Sequence, residues 1–386
     1  MDNLTHSLIG LAAAKAGLER LSPGATTLCV IAANAPDADI LARTGGSWSY
    51  LHHHRGITHS IVGTLALALL IPALFYLGDQ ILARLRRAPP RVKFRGLLLA
   101  SLITTATHPL MDWTNNYGVR PLLPWRGQWF YGDLIFILDP WLWLVLGGAA
   151  FLLTARDNWR IALWTVLALV LTAAILFLPQ RRPDVSFPVI SRALWLAGLI
   201  GLVAAHRWGL ARRYGRAVAL AALAFVVIYS GALSLLHRRA LGETQVVASN
   251  LASGYGETLI RTAAMPTLAN PLRWQGMAET DRATYRFFLS LDKDEREFAG
   301  RVRFEKPQQG GAARAVERAK EDERAGIFLE FARFPVFQVQ GDCASQVLVQ
   351  LADLRYTEPG TTQRGSFALE LPVACPEQQT GVPDTK

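Results

Sequence analysis

From Ile61 to Leu236 one pattern recurs: an apolar run, a short polar or basic break, then another apolar run. Such runs cover Ile61 to Leu82, Gly96 to Met111, Leu134 to Thr154, Ile161 to Pro179, Ile190 to Ala205 and Ala217 to Leu236. A helix rises about 1.5 Å per residue and a bilayer core is about 30 Å thick, so about 20 apolar residues make one span. In hydrocarbon a lone segment satisfies its backbone N–H and C=O groups only as a helix. Two earlier segments, Leu4 to Leu18 and Ala25 to Leu41, are shorter and carry polar residues, and the helix-breaking turn Glu19-Arg20-Leu21-Ser22-Pro23-Gly24 joins them. They read as marginal spans or as helices packed inside the others. The expected fold therefore begins with an α-helical polytopic membrane bundle of about eight helices.

Charge divides the chain in two. Up to Leu241 the only Glu is Glu19 and the only lysines are Lys15 and Lys93, whereas acids and bases are frequent from Gly242 onward. This predicts a membrane-embedded domain over 1–240 and a smaller soluble β-rich (α+β) domain over 241–386. In the latter, Thr284–Leu289, Ile327–Phe331, Val347–Leu351 and Ser366–Leu371 are β-branched or aromatic runs between Gly, Pro and Asp, and read as strands of a small antiparallel sheet; a helix is expected near Ala312 to Ala325. The net charge of +10 does not point to nucleic acid, because the arginines fall in short clusters between apolar runs. The densest, Arg84, Arg86, Arg87, Arg91, Lys93 and Arg95, marks the cytoplasmic side. Alternation then puts Arg156–Arg160 and His206–Arg216 on the same side. The loops around His52–His59 and Trp113–Tyr131, and everything after Leu236, fall on the outer face; Arg181, Arg182, Arg238 and Arg239 run against this. The stretch Met1-Asp2-Asn3-Leu4-Thr5-His6 carries no basic n-region, so a cleaved signal peptide is not expected. An oxidising outer compartment would permit a Cys343–Cys375 disulfide, with two separate thiols as the alternative, while Cys29 fills space in an apolar segment.

The chemistry concentrates in Ser49–Ser60, where His52, His53, His54 and His59 stand just before an apolar run. Ionisable groups at membrane depth are costly and mark functional sites. Under the topology above, His6, Asp37, Asp39, His59, His108, Asp112 and Asp139 all reach the outer ends of their segments. His108 and Asp112, four residues apart, share one helical face. Clustered carboxylates repel unless neutralised, and divalent cations do this. Imidazole and carboxylate donors without thiolate suit Zn²⁺ first, with Mn²⁺ or Fe next, and seven candidates leave room for one or two ions. Simpler readings stand beside these. His52 and His53 fit loop surface, and His206 and His237 fit helix ends beside arginines. Asp37 fits a turn former, Asp139 an N-cap, Arg55 a headgroup anchor, and Trp113, Trp125, Trp129 and Trp141 an interfacial belt.

The motifs Asp2–Gly10, Pro36-Asp37-Ala38-Asp39, His54–Ser60, His108–Gly118 and Leu138-Asp139-Pro140 resemble, in order, those of the YdjM/YbcI-like family of bacterial inner-membrane proteins, described as metal-dependent hydrolases with a distant likeness to zinc-dependent phospholipase C. The resemblance covers the first half of the chain, and the C-terminal part, with Asp353-Leu354-Arg355-Tyr356, looks like the extension of longer members. It implies a metal shell of His6, Asp37, His59, His108, Asp112, Asp39 and Asp139, with Arg55 meeting an anionic substrate. Of these, His6, Asp37, His59, His108, Asp112 and Asp139 are the expected metal ligands, and Arg55, Asp39 and His54 the expected catalytic residues. The function expected is an integral membrane hydrolase that cleaves a phosphoester or ester of a lipid-like substrate with metal-activated water at the outer end of the bundle. The alternative is an ion or metal transporter, or a proton relay, using the same cluster; the nearly pure Leu, Ala, Val and Ile of the cytoplasmic halves favours the enzyme. Membrane lipids are expected partners, and the C-terminal domain offers a surface for a protein partner. No His-Glu-x-x-His is present, which disfavours an intramembrane metalloprotease.

Overall fold

The computed structural model describes residues 1–177, 187–292, 301–341, 346–360 and 367–374. The expected Cys343–Cys375 bridge, Arg181 and Arg182, and the ends of two expected elements at Pro179 and Ser366, lie outside them.

A helical region comes first: α1 (Asn3–Lys15), α2 (Ala25–Asn34), α3 (Ser47–His53), α4 (Ile61–Leu85), α5 (Phe94–Trp113), α6 (Pro140–Thr154), α7 (Asn158–Phe177), α8 (Val189–Arg207) and α9 (Leu210–Tyr255). Each expected segment forms a helix, and the short α3 is added in the histidine loop. Of these, α4, α7, α8 and α9 are long and apolar enough to cross a membrane. Their side chains face outward, Leu65, Leu69, Val166, Leu169, Ile200 and Val227 among them. The inner packing is carried by α1, α6 and α9, where Leu8, Ile9 and Ala12 meet Leu142, Leu146, Ala149, Ala222, Val226 and Leu233.

Three boundaries differ most from the sequence reading. Helix α2 stops at Asn34 instead of continuing to Leu41, because Pro36 has no N–H to donate to the helical ladder. The chain tightens into a 3-10 stretch, Ala35–Gly45, that holds Asp37 and Asp39. Helix α6 starts at Pro140, not Leu134, since proline suits the first helical turn and Asp139 caps it. Helix α9 bends at Tyr214 and then runs unbroken to Tyr255, about 60 Å, so the position 240/241 falls inside it.

That helix carries the chain into the β region. One sheet has the order β1 (Leu259–Thr267), β2 (Asn270–Thr280), β3 (Ala283–Ser290), β4 (Val302–Glu305), all antiparallel. A second has β5 (Pro335–Gln340), β6 (Gln346–Asp353) and β7 (Ala368–Ala374), also antiparallel. Ala240, Val247 and Ala248 of α9 pack on Trp274, Ala278, Tyr285 and Phe287 of the first sheet. Two helices, α10 (Gly310–Lys320) and α11 (Glu323–Phe331), cover the second. Ile327–Phe331, expected as a strand, is therefore helical: Asp322 caps the start, and Ala325, Phe328 and Phe331 recur at helical spacing on the buried face.

Candidate metal centre

Several turns deliver polar side chains to one end of the bundle. Asp2 accepts the Thr5 N–H at 3.0 Å and opens α1, so His6 lies in its first turns. Ser60 opens α4 by accepting the Gly63 N–H, with His59 in the single 3-10 turn just before it. Gly63 permits that turn, because a Cβ there would collide with the Ile57 carbonyl. His108 and Asp112 come from the last turns of α5, and the 3-10 stretch supplies Asp37 and Asp39.

The four atoms that converge are His59 Nε2, His108 Nε2 and one carboxylate oxygen each from Asp37 and Asp112. His59 Nε2 lies 3.2 Å from His108 Nε2, 3.5 Å from Asp37 Oδ1 and 3.3 Å from Asp112 Oδ2. His108 Nε2 lies 3.4 Å from Asp37 Oδ1 and 3.6 Å from Asp112 Oδ2. The outer ring nitrogens are fixed by acceptors. His108 Nδ1 lies 2.7 Å from the Ala33 carbonyl, and His59 Nδ1 lies 3.3 Å from Asp39 Oδ2. A carbonyl can only accept, so His108 carries its proton on Nδ1, and the Asp39 carboxylate favours the same for His59. With those protons outward, both Nε2 atoms can turn their lone pairs to one shared space, an arrangement that suits a cation between them.

The spacing supports the same conclusion. A tetrahedron with arms of about 2.0 to 2.1 Å, the usual zinc distance to imidazole or carboxylate, has edges of about 3.3 to 3.4 Å. The five distances above fall around that value. His6 adds a further sign: both its ring nitrogens are buried without a hydrogen-bond partner, as is Asp112 Oδ2. Its ring stacks on His108 at 3.7 Å, with Nε2 3.3 Å from Asp112 Oδ1, and the Met1 nitrogen lies against that same oxygen. The residues present thus fit a metal ion. A second group, Asp37, Asp39 and His54, shares Asp37 with the first.

The other expected residues divide. Asp39 is turned to neighbours, with Oδ1 3.0 Å from His54 Nδ1 and Oδ2 accepting the Arg55 N–H at 2.9 Å. Burial raises the carboxyl pKa of Asp37 and Asp39, but the imidazoles beside them, His108 and His59 at Asp37 and His54 and His59 at Asp39, outweigh it and hold both well below the usual range. Burial lowers the His54 pKa against the opposing pull of Asp39. Asp139 stands outside both groups: one oxygen accepts the N–H of Trp141 and Leu142, and the other takes the Tyr229 hydroxyl at 3.0 Å. Burial pushes its pKa up to about 6.

Arg55, expected at the substrate, is 2% exposed. It donates to Asp112 Oδ1 at 3.0 Å, Asn115 Oδ1 at 2.9 Å and the Gly118 carbonyl at 3.1 Å, while its Nε lies 3.0 Å from Asp112 Oδ2 without hydrogen-bond geometry. Its positive φ of 53° is what turns the side chain under Asp112. Tyr117 lies against the guanidinium, 4.7 Å away. Of the remaining histidines, His52 and His53 stay exposed, and His206 and His237 lie tilted against Phe151 and Trp274.

Pairs between residues far apart in the chain hold the β region to this end of the bundle. Buried Arg355 pairs with Asp353 at 2.6 Å and donates to the Asn116 carbonyl at 2.7 Å; Arg120 pairs with Glu330 at 3.0 Å and Arg333 with Asp133 at 2.7 Å. Phe331 completes the contact against Tyr117, with ring centroids 4.7 Å apart. Asn115 stood within the His108–Gly118 motif without a role of its own, and Arg120 had no signal beyond its place as a polar residue just past a span.

Residues 1–181 match the family model described as YdjM inner membrane protein. The YdjM-like part contains every donor of the cage, and the match together with the apolar helices supports membrane localisation. The uncharacterized protein YfhP of Bacillus subtilis (strain 168) is 29% identical over 154 residues, 37% of this chain and 43% of that protein. The chain thus spans less than half the length of this curated relative. No solved structure matches.

Proposed function

We propose that this chain is a membrane metallohydrolase acting on an ester or phosphoester of a lipid-like substrate, with zinc as the first metal to test. The supporting observation is the cage of His59, His108, Asp37 and Asp112, whose donor spacing matches a tetrahedral ion and whose facing imidazole nitrogens suit one. When bound, the ion supplies Lewis acidity toward an ester or phosphoester oxygen. The chain's own residues do the rest. Asp39 lies beside His59 Nδ1 and favours its proton there, Arg55 fixes Asp112 Oδ1 by a hydrogen bond and sets its charge beside Oδ2, and the Ala33 carbonyl sets the His108 ring. His54, bonded to Asp39 and with a pKa lowered by burial, is suited to accept a proton from the attacking water at its free Nε2. In this reading Arg55 is a positioning residue, not an anion contact. The site and the sheet domain are assigned to the periplasmic side, opposite the Arg84–Arg95 cluster.

One observation favours transport instead. The hydroxyls of Thr64, Ser101 and Thr105 are buried without partners, and the two on α5 lie on the side of His108 toward the basic end. Fully buried Leu28, Ala32, Leu97 and Ala100 close that route, which favours the enzyme. The deciding experiment is metal analysis of the detergent-purified protein beside His59→Ala and His108→Ala, followed by hydrolysis assays on phospholipids and polyprenyl phosphates. Stoichiometric metal lost in both variants, with hydrolysis lost in parallel, is expected. Metal content equal in all three proteins overturns the reading, and metal without hydrolysis of any lipid ester turns it toward transport.

A further inference from the structure

At the other end of the bundle from the cage lies a cavity of about 580 Å³ among the ends of α1, α6, α7, α8 and α9. Five cationic side chains line it, Lys15, Arg20, Arg156, Arg212 and Arg216, with His206 beside them. Its one carboxylate, Glu19, is taken by Lys15 at 2.6 Å. Among the described residues Arg20, Arg156 and Arg212 have no carboxylate partner, and Arg216 is held by the Ala16 carbonyl at 2.8 Å. Like charges gathered without counterions repel, and a bound polyanion removes the penalty.

A second cavity, about 200 Å³ and almost wholly apolar, runs between α6, α7 and α8. Phe151, Leu202 and Val203 line it where Leu152 and His206 line the basic cavity, and the Phe151 and His206 rings are 4.9 Å apart. Further along, the Trp164 and Trp195 indole N–H groups are satisfied by the Thr154 and Thr172 hydroxyls, so neither is left as a free donor in the groove. Small residues, Gly147 and Ala168, leave its depth. A cationic mouth that opens onto an apolar slot within one helical turn matches one amphiphile: a phosphate headgroup with an acyl chain behind it.

We propose that this face binds an anionic phospholipid, its phosphate among Arg20, Arg156, Arg212 and Arg216 and one acyl chain in the groove between α6, α7 and α8. The site is separate from the cage and does not depend on the hydrolase reading. A free phosphate ion shares the headgroup chemistry but has no use for the groove.

The test is titration of the detergent-purified full chain with phosphatidylglycerol, read as bound lipid by native mass spectrometry, with phosphatidylcholine and inorganic phosphate as comparison arms. Phosphatidylglycerol is expected to bind and phosphatidylcholine to bind far more weakly. The double variant Arg156→Gln, Arg212→Gln should weaken phosphatidylglycerol about 30-fold, near fivefold for each arginine removed. Ala168→Phe, which fills the groove and leaves the charges, should weaken it too, and inorganic phosphate should not compete at millimolar concentration. Equal binding of both lipids overturns the proposal. So does unchanged phosphatidylglycerol binding in the double variant while its unfolding temperature matches wild type. Competition by inorganic phosphate together with full binding to Ala168→Phe assigns a free-phosphate site and overturns the lipid.

Discussion

Arg55→Met separates the two roles open to this arginine. The side chain is 2% exposed, its guanidinium meets both oxygens of Asp112 at 3.0 Å, and it also holds Asn115, Gly118 and the face of Tyr117. Methionine keeps much of the volume, so the loss is electrostatic. Removing one partner of a buried pair costs about 3 to 5 kcal/mol, because the remaining carboxylate is left uncompensated. Taking the cation off the Tyr117 ring adds about 1 to 2 kcal/mol. In thermal unfolding of the chelator-treated protein in detergent this is a drop on the order of 10 °C. Arg55→Lys should fall between, since a point charge cannot replace a fork. The double variant Arg55→Met, Asp112→Asn removes both charges and should regain most of the stability while binding no metal. A substrate-contact role for Arg55 makes the opposite forecast: wild-type stability and metal content, with activity alone lost. Arg55→Met unfolding within about 0.5 kcal/mol of wild type, well under the cost of a broken buried pair, would refute the reasoning.

Two more variants probe the surroundings. Asp39→Ala takes away the acceptor of His59 Nδ1 without touching the cage, so metal affinity, read by chelator competition, should fall about 10- to 100-fold, as is usual for an outer partner, whereas Asp37→Ala should abolish binding. Asp139 has a folded pKa of about 6 against an ordinary 3.8, so between those values the folded chain holds its proton more tightly than the unfolded one. Stability therefore falls as pH rises through that window, by on the order of 3 kcal/mol, and is level above it. Asn caps a helix as well as Asp and cannot ionise, so Asp139→Asn should remove this fall, leaving a stability advantage over wild type that grows from about pH 4 to pH 6; an advantage that is flat with pH would contradict the assignment.

The helices were legible because each apolar run has one physical solution in hydrocarbon, and the topology drawn from arginines alone put His6, Asp37, Asp39, His59, His108 and Asp112 at one end, where the structure also gathers them. Membership in that end was legible; role was not. Asp139 shares the end yet spends both oxygens on α6 and Tyr229, and Arg55 serves Asp112. Whether a polar side chain faces the shared space or a neighbour is set by backbone turns such as the positive φ at Arg55 and the glycine at position 63, which leave no periodic trace. Ile327–Phe331 went to a helix for a related reason: aromatic and β-branched content suits a strand, but the Asp322 cap and three-residue spacing decided the outcome. The pairing of Arg355 with Asn116 joins positions far apart in the chain, so no local pattern could announce it. That pairing has a consequence for mechanism. Asn116 follows the residue that holds Arg55, and Arg55 holds Asp112, so the sheet domain is tied to the cage through two buried arginines and one short loop. A ligand that moved the sheet domain would act on the geometry of Asp112 without entering the site.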